Sequence, residues 1–185
     1  MGKIIEIRWH GRGGQGSFTA SKLLGEAASL HGGKYALAFP SFGPERRGAP
    51  VLAFTKIADK KIQDRSEVKQ CDYIVVLDET LFNEAFLYDL KPEGRIIINT
   101  GTPEKYKHID GNKLSLINAS DLAQTVLSRP VTNTVMIGAL AGATAVISLQ
   151  SLLAAATNYF KGELLVKNME AIKQAFEYSK NQEQI

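Results

Sequence analysis

Residues 4–28 read IIEIRWHGRGGQGSFTASKLLGEAA, and this stretch decides the fold. Its start is an apolar run that predicts a β-strand over 3–9, and its end has the apolar spacing of a helix, predicted over 15–30. Four glycines, at 11, 13, 14 and 16, mark the junction of the two elements, and glycine lets the backbone turn sharply and approach a ligand closely. The first amides of a helix lack internal partners and lie at the positive end of the helix dipole. The junction therefore predicts a binding site for a phosphate or a carboxylate.

The candidate site combines this glycine loop with two neighbouring arginines further along the chain. Guanidinium groups suit phosphate or carboxylate, and the Pro- and Gly-rich segment 40–50 that carries them also suits a subunit interface. The alternatives are a tight turn that only packs strand against helix, and a solvated charged loop. The candidate contacts are Gly11, Arg12, Gly13, Gly14, Gln15, Gly16, Ser17, Arg46 and Arg47.

Apolar runs alternate with helical patterns along the rest of the chain. The pattern predicts an α/β fold with a mostly parallel, Rossmann-like sheet flanked by helices and a helical C-terminus. It also predicts one domain over 1–180 and a frayed tail over 181–185. Small residues at 138–143 predict close packing of their helix against another element. Further strands are predicted at 34–39, 51–57, 73–77, 94–99 and 114–118, and further helices at 79–90, 121–127 with Ser120 as N-cap, 131–147, 148–159 and 163–178.

Composition narrows the functional class. The 185 residues carry a net charge of +3 without a basic stripe, so we expect no nucleic-acid partner. The single cysteine, Cys71, cannot form an internal disulfide or hold an iron–sulfur cluster, and the three histidines lack zinc-ligand spacing. We expect a cytoplasmic protein without a signal peptide, because a lone cysteine fits a reducing compartment. We expect no membrane span, because the stretch 135–149 is shorter than the roughly 20 residues required.

A catalytic set is not visible in the sequence. A dinucleotide fold needs an acid at the end of its second strand, and the first acid here is Glu45, inside the 40–50 segment. We find no Gly-x-Ser-x-Gly elbow and no phosphate-loop lysine. His10 beside the glycine loop is a candidate catalytic residue, although such a residue more often lines a turn. Taken alone, the chain looks like a binding subunit; the alternatives are a free-standing nucleotide-binding oxidoreductase and a purely structural subunit.

Three segments carry a family resemblance: IRWHGRGGQG at 7–16, AFPSFGPERRGAP at 38–50 and NTVMIGA at 133–139. In this order they resemble the gamma subunit of pyruvate:ferredoxin oxidoreductase and related 2-oxoacid:ferredoxin oxidoreductases, and the resemblance covers nearly the whole chain. It implies a multi-subunit enzyme that oxidatively decarboxylates a 2-oxoacid to an acyl-CoA and passes electrons to ferredoxin. No catalytic residue is carried over to this chain.

The resemblance also implies where the cofactors lie. Thiamine diphosphate, magnesium and the iron–sulfur clusters would belong to partner subunits, namely alpha, beta and a ferredoxin-like delta chain. Coenzyme A would bind this chain at the glycine loop, with Arg46 and Arg47 as further anion contacts, and the 42–50 loop would dock on a partner subunit. The form Glu45-Arg46-Arg47-Gly48 favours pyruvate as the substrate, with 2-oxoglutarate and branched-chain acids left open.

Overall fold

A six-stranded sheet forms the centre of the protein, in a computed structural model that describes residues 3–41 and 47–182. The strand order is β2-β3-β1-β4-β5-β6. β3 runs antiparallel to both of its neighbours, β2 and β1, and β1, β4, β5 and β6 pair in parallel, which confirms the predicted mostly parallel sheet. The strands are β1 (Ile4–Arg12), β2 (Tyr35–Pro40), β3 (Pro50–Ala58), β4 (Cys71–Val76), β5 (Leu90–Asn99) and β6 (Leu114–Ile117).

The helices of more than two turns pack on one face of the sheet and share its main hydrophobic core. Ile7 and Trp9 of β1 point into this core and are fully buried, because alternate residues of a strand face the same side. None of these helices combines the length and apolar character needed to cross a bilayer. They are α1 (Ser17–Glu26), continued by a π-helical turn over Ala27–His31, α2 (Ala119–Leu127), α3 (Asn133–Thr144), α4 (Leu149–Tyr159) and α5 (Gly162–Gln182).

The other face of the sheet is covered by the connections between strands rather than by long helices. Its core includes Ile74, Val76 and Ile96, packed under aromatic side chains of the connecting segments. The prediction of a helix over 79–90 is wrong, because this segment forms only two single 3-10 turns. The side chains of Asp78 and Asn83 accept hydrogen bonds from the backbone a few residues on and cap each turn separately, which divides the segment.

The N-cap of α2 and the packing of α3 can be compared with their predictions. The predicted N-cap Ser120 is wrong: the side chain of Asn118 accepts the hydrogen bond from the Asp121 amide at 3.1 Å, and α2 begins one residue before Ser120. The close packing predicted for the small residues of α3 is confirmed, and its partner is α5. A Cβ atom on Gly138 would lie 2.5 Å from the carbonyl oxygen of Ile172.

The connections diverge between β1 and β4. The chain leaves β1 through α1 on the helical face to reach β2, whereas it leaves β4 on the opposite face to reach β5. Adjacent parallel strands whose connections depart to opposite faces open a crevice at their carboxyl ends, and ligands of α/β proteins bind in such crevices. The glycine loop follows β1 and therefore lines this crevice.

Candidate functional site

The predicted contacts from Gly11 to Ser17 fall in one loop at the carboxyl end of β1. The strand includes Gly11, and α1 begins at Ser17. Gly14 and Gly16 have φ angles of 96° and 82°, a left-handed conformation that side chains rarely adopt. The sequence prediction of a glycine-dependent strand–helix turn is therefore confirmed in its geometry.

Only part of this loop offers free backbone donors. The Gly13 amide donates to the Ala49 carbonyl at 2.8 Å, and the Gln15 amide donates to the Arg12 carbonyl at 2.9 Å. Among the described residues, the amides of Gly14 and Gly16 make no hydrogen bond. A Cβ atom on Gly14 would meet no heavy atom within 4 Å, so open space lies above this residue. The available cradle consists of these two amides and the uncapped first turn of α1.

Arg12 and Gln15 hold the loop in shape. The Arg12 guanidinium donates to Asp78 Oδ2 at 3.0 Å, to the Gly48 carbonyl at 3.0 Å and to the Thr80 hydroxyl at 2.8 Å. Gln15 accepts from the Arg12 amide at 2.7 Å and donates to Asp78 at 3.1 Å. Every nitrogen of the Arg12 guanidinium is thus hydrogen-bonded. The side chain joins the end of β1 to the segment after β4 and to the segment before β3.

Asp78 is the residue that the sequence reasoning missed. Burial alone would raise its pKa, but hydrogen bonds from Thr80 and Gln15 and the charge of Arg12 together hold the pKa below its usual value. The ionised carboxylate neutralises Arg12 and anchors Gln15. Its signal in the sequence is an acid two residues after a buried strand, beside the crevice between β1 and β4.

The crevice continues toward the ends of β5 and β6 as a polar cavity of about 430 Å³. Glu79 lines it, and a hydrogen bond from Thr100, supported by Thr102, holds the pKa of this carboxyl below its usual value. The starts of α2 and α3 also line the cavity, which therefore has ionised carboxylates on one side and helix N-termini on others. The lining residues include Gln15, Asp78, Glu79, Asn99, Thr100, Asn118, Ser120 and Thr132.

The two candidate arginines are only partly visible. Arg47 forms a backbone bridge with Gly13 and is exposed, which brings it beside the glycine loop. Arg46 lies outside the described residues, as does the rest of 42–46. The described part of the 42–50 loop is fixed to the glycine loop by the bond from the Gly48 amide to the Gly13 carbonyl at 3.0 Å.

His10 is buried on the sheet face opposite the long helices. Its ring stacks on Phe86 with 4.2 Å between ring centroids, and Arg8 Nε donates to its Nε2 at 3.0 Å. Burial, reinforced by the charge of Arg8, lowers the pKa of His10 to about 3. The imidazole is therefore neutral at physiological pH and packed as a core residue.

Comparison with known proteins fixes the family. The pyruvate ferredoxin/flavodoxin oxidoreductase family matches residues 6–178 of the chain. The chain belongs to this family. The resemblance predicted from the three segments is thereby confirmed, and the match covers both the glycine loop and the start of α3.

Full-length relatives and solved structures agree with the pyruvate ferredoxin/flavodoxin oxidoreductase assignment. The pyruvate synthase subunit PorC of Methanocaldococcus jannaschii is 45% identical over 175 residues, covering 94% of this chain and 96% of the relative. The common gamma subunit of the pyruvate/ketoisovalerate oxidoreductases of Thermococcus litoralis is 46% identical over 180 residues, with 94% and 96% covered. The crystal structure of pyruvate oxidoreductase subunit PORC from Thermotoga maritima superposes with a TM-score of 0.82 at 36% identity, covering 95% of this chain and 96% of that one.

Proposed function

We propose that the chain is the gamma subunit of a 2-oxoacid:ferredoxin oxidoreductase and that it binds coenzyme A at its glycine loop. The complex would convert a 2-oxoacid, most simply pyruvate, into an acyl-CoA by thiamine-dependent oxidative decarboxylation, with ferredoxin as electron acceptor. Relatives of matching length are subunits of pyruvate and pyruvate/ketoisovalerate oxidoreductases, which supports this substrate class.

We assign the redox centres to partner chains. Alpha, beta and ferredoxin-like delta subunits would hold thiamine diphosphate, magnesium and the iron–sulfur clusters, since this chain has a single cysteine. That cysteine, Cys71, is buried as a free thiol at the start of β4. A reducing cytoplasm is the compartment we propose for the complex.

The observation that carries the coenzyme A proposal is the pair of free amides at Gly14 and Gly16, with open space above Gly14. Backbone amides at a helix N-terminus suit the pyrophosphate of coenzyme A, and the exposed Arg47 lies beside them. A larger protein with this fold supports the ligand class. The 2-oxoglutarate:ferredoxin oxidoreductase of Magnetococcus marinus was solved with coenzyme A and succinyl-CoA bound, and it superposes with a TM-score of 0.78 at 21% identity, covering 97% of this chain and 31% of that one.

The test compares two glycines in the assembled complex. Gly14 and Gly33 both have positive φ, and a Cβ atom on either would meet nothing within 4 Å, so both changes place an alanine in a left-handed conformation without a steric collision. Only the methyl group on Gly14 would enter the space above the free amides. We expect Gly14→Ala to raise the Kd for coenzyme A, measured by calorimetry, about tenfold or more, and Gly33→Ala to leave it unchanged.

Arg47→Ala extends the same measurement to the side chain beside the loop. We expect a smaller rise in Kd, about fivefold, because an exposed ion pair contributes roughly 1 kcal/mol or less. If the complex with Gly14→Ala and that with Gly33→Ala bind coenzyme A equally well, the glycine loop is a packing element and the coenzyme A proposal is wrong.

A further inference from the structure

The first residue of α3 contacts the glycine loop. A Cβ atom on Gly16 would lie 2.6 Å from Nδ2 of Asn133 and 3.2 Å from its Cγ. Gly16 is the N-cap of α1, and Thr132 is the N-cap of α3; neither cap is closed by a side-chain hydrogen bond. Two helices, each at least ten residues long, therefore begin side by side at this point of the crevice.

Asn133 is a largely buried residue whose side-chain oxygen is hydrogen-bonded within the described chain and whose side-chain nitrogen is not. The residue is 8% exposed. Its Oδ1 accepts a hydrogen bond from the Thr134 amide at 2.9 Å, which fixes the orientation of the side-chain amide. Its Nδ2 points at Gly16 and, among the described residues, donates to no acceptor. Nδ2 is not among the fully buried unpaired atoms of the described residues, so it keeps access to solvent and can donate to a molecule that enters from outside.

A second unpaired group lies beside Gly11, at the start of the same loop, where a Cβ atom on Gly11 would collide with the hydroxyl of Ser17. The hydroxyl of Ser17 is buried, with the residue 2% exposed, and it also has no partner in the described part of the chain. Donors from α3 and from the start of α1 thus lie beside Gly16 and Gly11 of one loop, which also holds the free amide of Gly14. An acceptor-rich ligand above the loop could accept from the free amide of Gly14 and from the side-chain amide of Asn133 together.

We infer that Asn133 is a ligand-binding residue whose side-chain amide donates to a phosphate oxygen of the coenzyme A bound at the glycine loop. The inference rests on the proposed function and adds α3 to the site. It explains why residue 16 is glycine in two independent ways: a side chain there would be strained at φ 82° and would collide with Asn133.

The test is Asn133→Asp in the assembled complex. Aspartate has the same shape, its Oδ1 still accepts from the Thr134 amide, and an acid in the first turn of a helix suits the helix dipole, so the fold is preserved. The carboxylate replaces the donor and repels phosphate. We expect the Kd for coenzyme A, measured by calorimetry without 2-oxoacid, to rise about tenfold or more, with KM rising in parallel and kcat at saturating coenzyme A kept.

The matched control is Asn83→Asp. Oδ1 of Asn83 accepts from the Ala85 amide at 2.8 Å, so this residue caps a turn in the same manner, but it is exposed and lies in the β4–β5 connection away from the glycine loop. It receives the same added charge, and we expect the Kd for coenzyme A to stay unchanged. Asn133→Ala, which removes the donor without adding a charge, is expected to raise the Kd by a smaller factor of about five.

The outcomes separate the inference from the proposed function. If Gly14→Ala weakens coenzyme A binding while Asn133→Asp and Asn133→Ala bind like the unmodified complex, Asn133 is only a helix residue and the inference is overturned. If Gly14→Ala binds like Gly33→Ala, the proposed function itself fails, and the inference fails with it. Weakening by Gly14→Ala and by both Asn133 variants, with Asn83→Asp unaffected, supports both.

Discussion

Gly138→Ala should destabilise the protein although alanine is the better helix former. Gly138 lies inside α3, where it faces the backbone of α5. A Cβ atom there would be 2.5 Å from the carbonyl oxygen of Ile172 and 3.1 Å from the Cβ of Ala175. Ordinary carbon–oxygen contacts are about 3.3 Å or longer, so the two helices would have to separate by about 0.8 Å at this point.

The expected magnitude follows from two opposing contributions. Forcing an extra methyl group into a packed contact costs about 1–3 kcal/mol. Replacing glycine by alanine inside a helix stabilises the folded state by about 1 kcal/mol. Because the blocking atoms belong to the backbone of α5, which cannot rotate away, we take the upper half of the packing range and expect a net loss of about 1–2 kcal/mol in the free energy of unfolding.

Gly25→Ala is the matched control. Gly25 also lies inside a helix, but a Cβ atom on it would meet the Cβ of Ala38 at 3.4 Å, an ordinary van der Waals contact. We expect this variant to gain about 0.5–1 kcal/mol. Urea unfolding followed by circular dichroism measures both changes on the purified chain. The reasoning is refuted if Gly138→Ala is as stable as the unmodified protein, or if the two substitutions shift stability in the same direction.

Two further predictions concern buried titratable groups. The pKa of His10 is about 3 in the folded chain and about 6.5 when unfolded, so the unfolded state alone binds this proton as the pH falls, and stability decreases below about pH 6.5. Between about pH 7 and pH 5 this decrease in the free energy of unfolding amounts to roughly 2 kcal/mol. In urea unfolding, the free energy of His10→Gln should decrease by that much less over the same pH range than that of the unmodified protein, and an equal decrease in both would contradict the buried, neutral state of His10. Burial raises the pKa of the Cys71 thiol to about 11, so at about pH 8 the native chain should react with a disulfide reagent only as fast as it unfolds, and rapid reaction of the native chain would disprove this.

The segment 79–90 shows why one element escaped prediction from sequence. Phe82, Phe86 and Leu87 repeat at helical spacing, and in the structure they do cover the second core. The deciding interactions, however, are the hydrogen bonds that the side chains of Asp78 and Asn83 accept from nearby backbone amides, which compete locally with a continuous helix. The apolar spacing correctly indicates which side chains are buried. It does not show that two closely spaced capping residues place these side chains on separate turns instead of one helix.

The candidate site, too, was predictable from sequence in one part and not in another. The glycine loop was predictable because a strand, four glycines and a helix are contiguous in sequence. The partners of Arg12 were not, since Asp78 and Gly48 approach it from segments far away along the chain. Sequence reasoning therefore predicted an anion site at this loop but did not recognise that Arg12 supports the loop, and it assigned no role to the segment beginning at Asn133.

The position of β3 has a consequence for synthesis of the chain. β1 and β2 flank β3 without touching each other, so a nascent polypeptide that ends before residue 50 holds two strands that lack a common neighbour. Isolated strands are not stable in water, and the α1 crossover alone cannot align them. β1 and β2 can therefore join the sheet only after β3 has been synthesised and has inserted between them, and until then the glycine loop lacks the bonds to Gly48 and Ala49 that fix it.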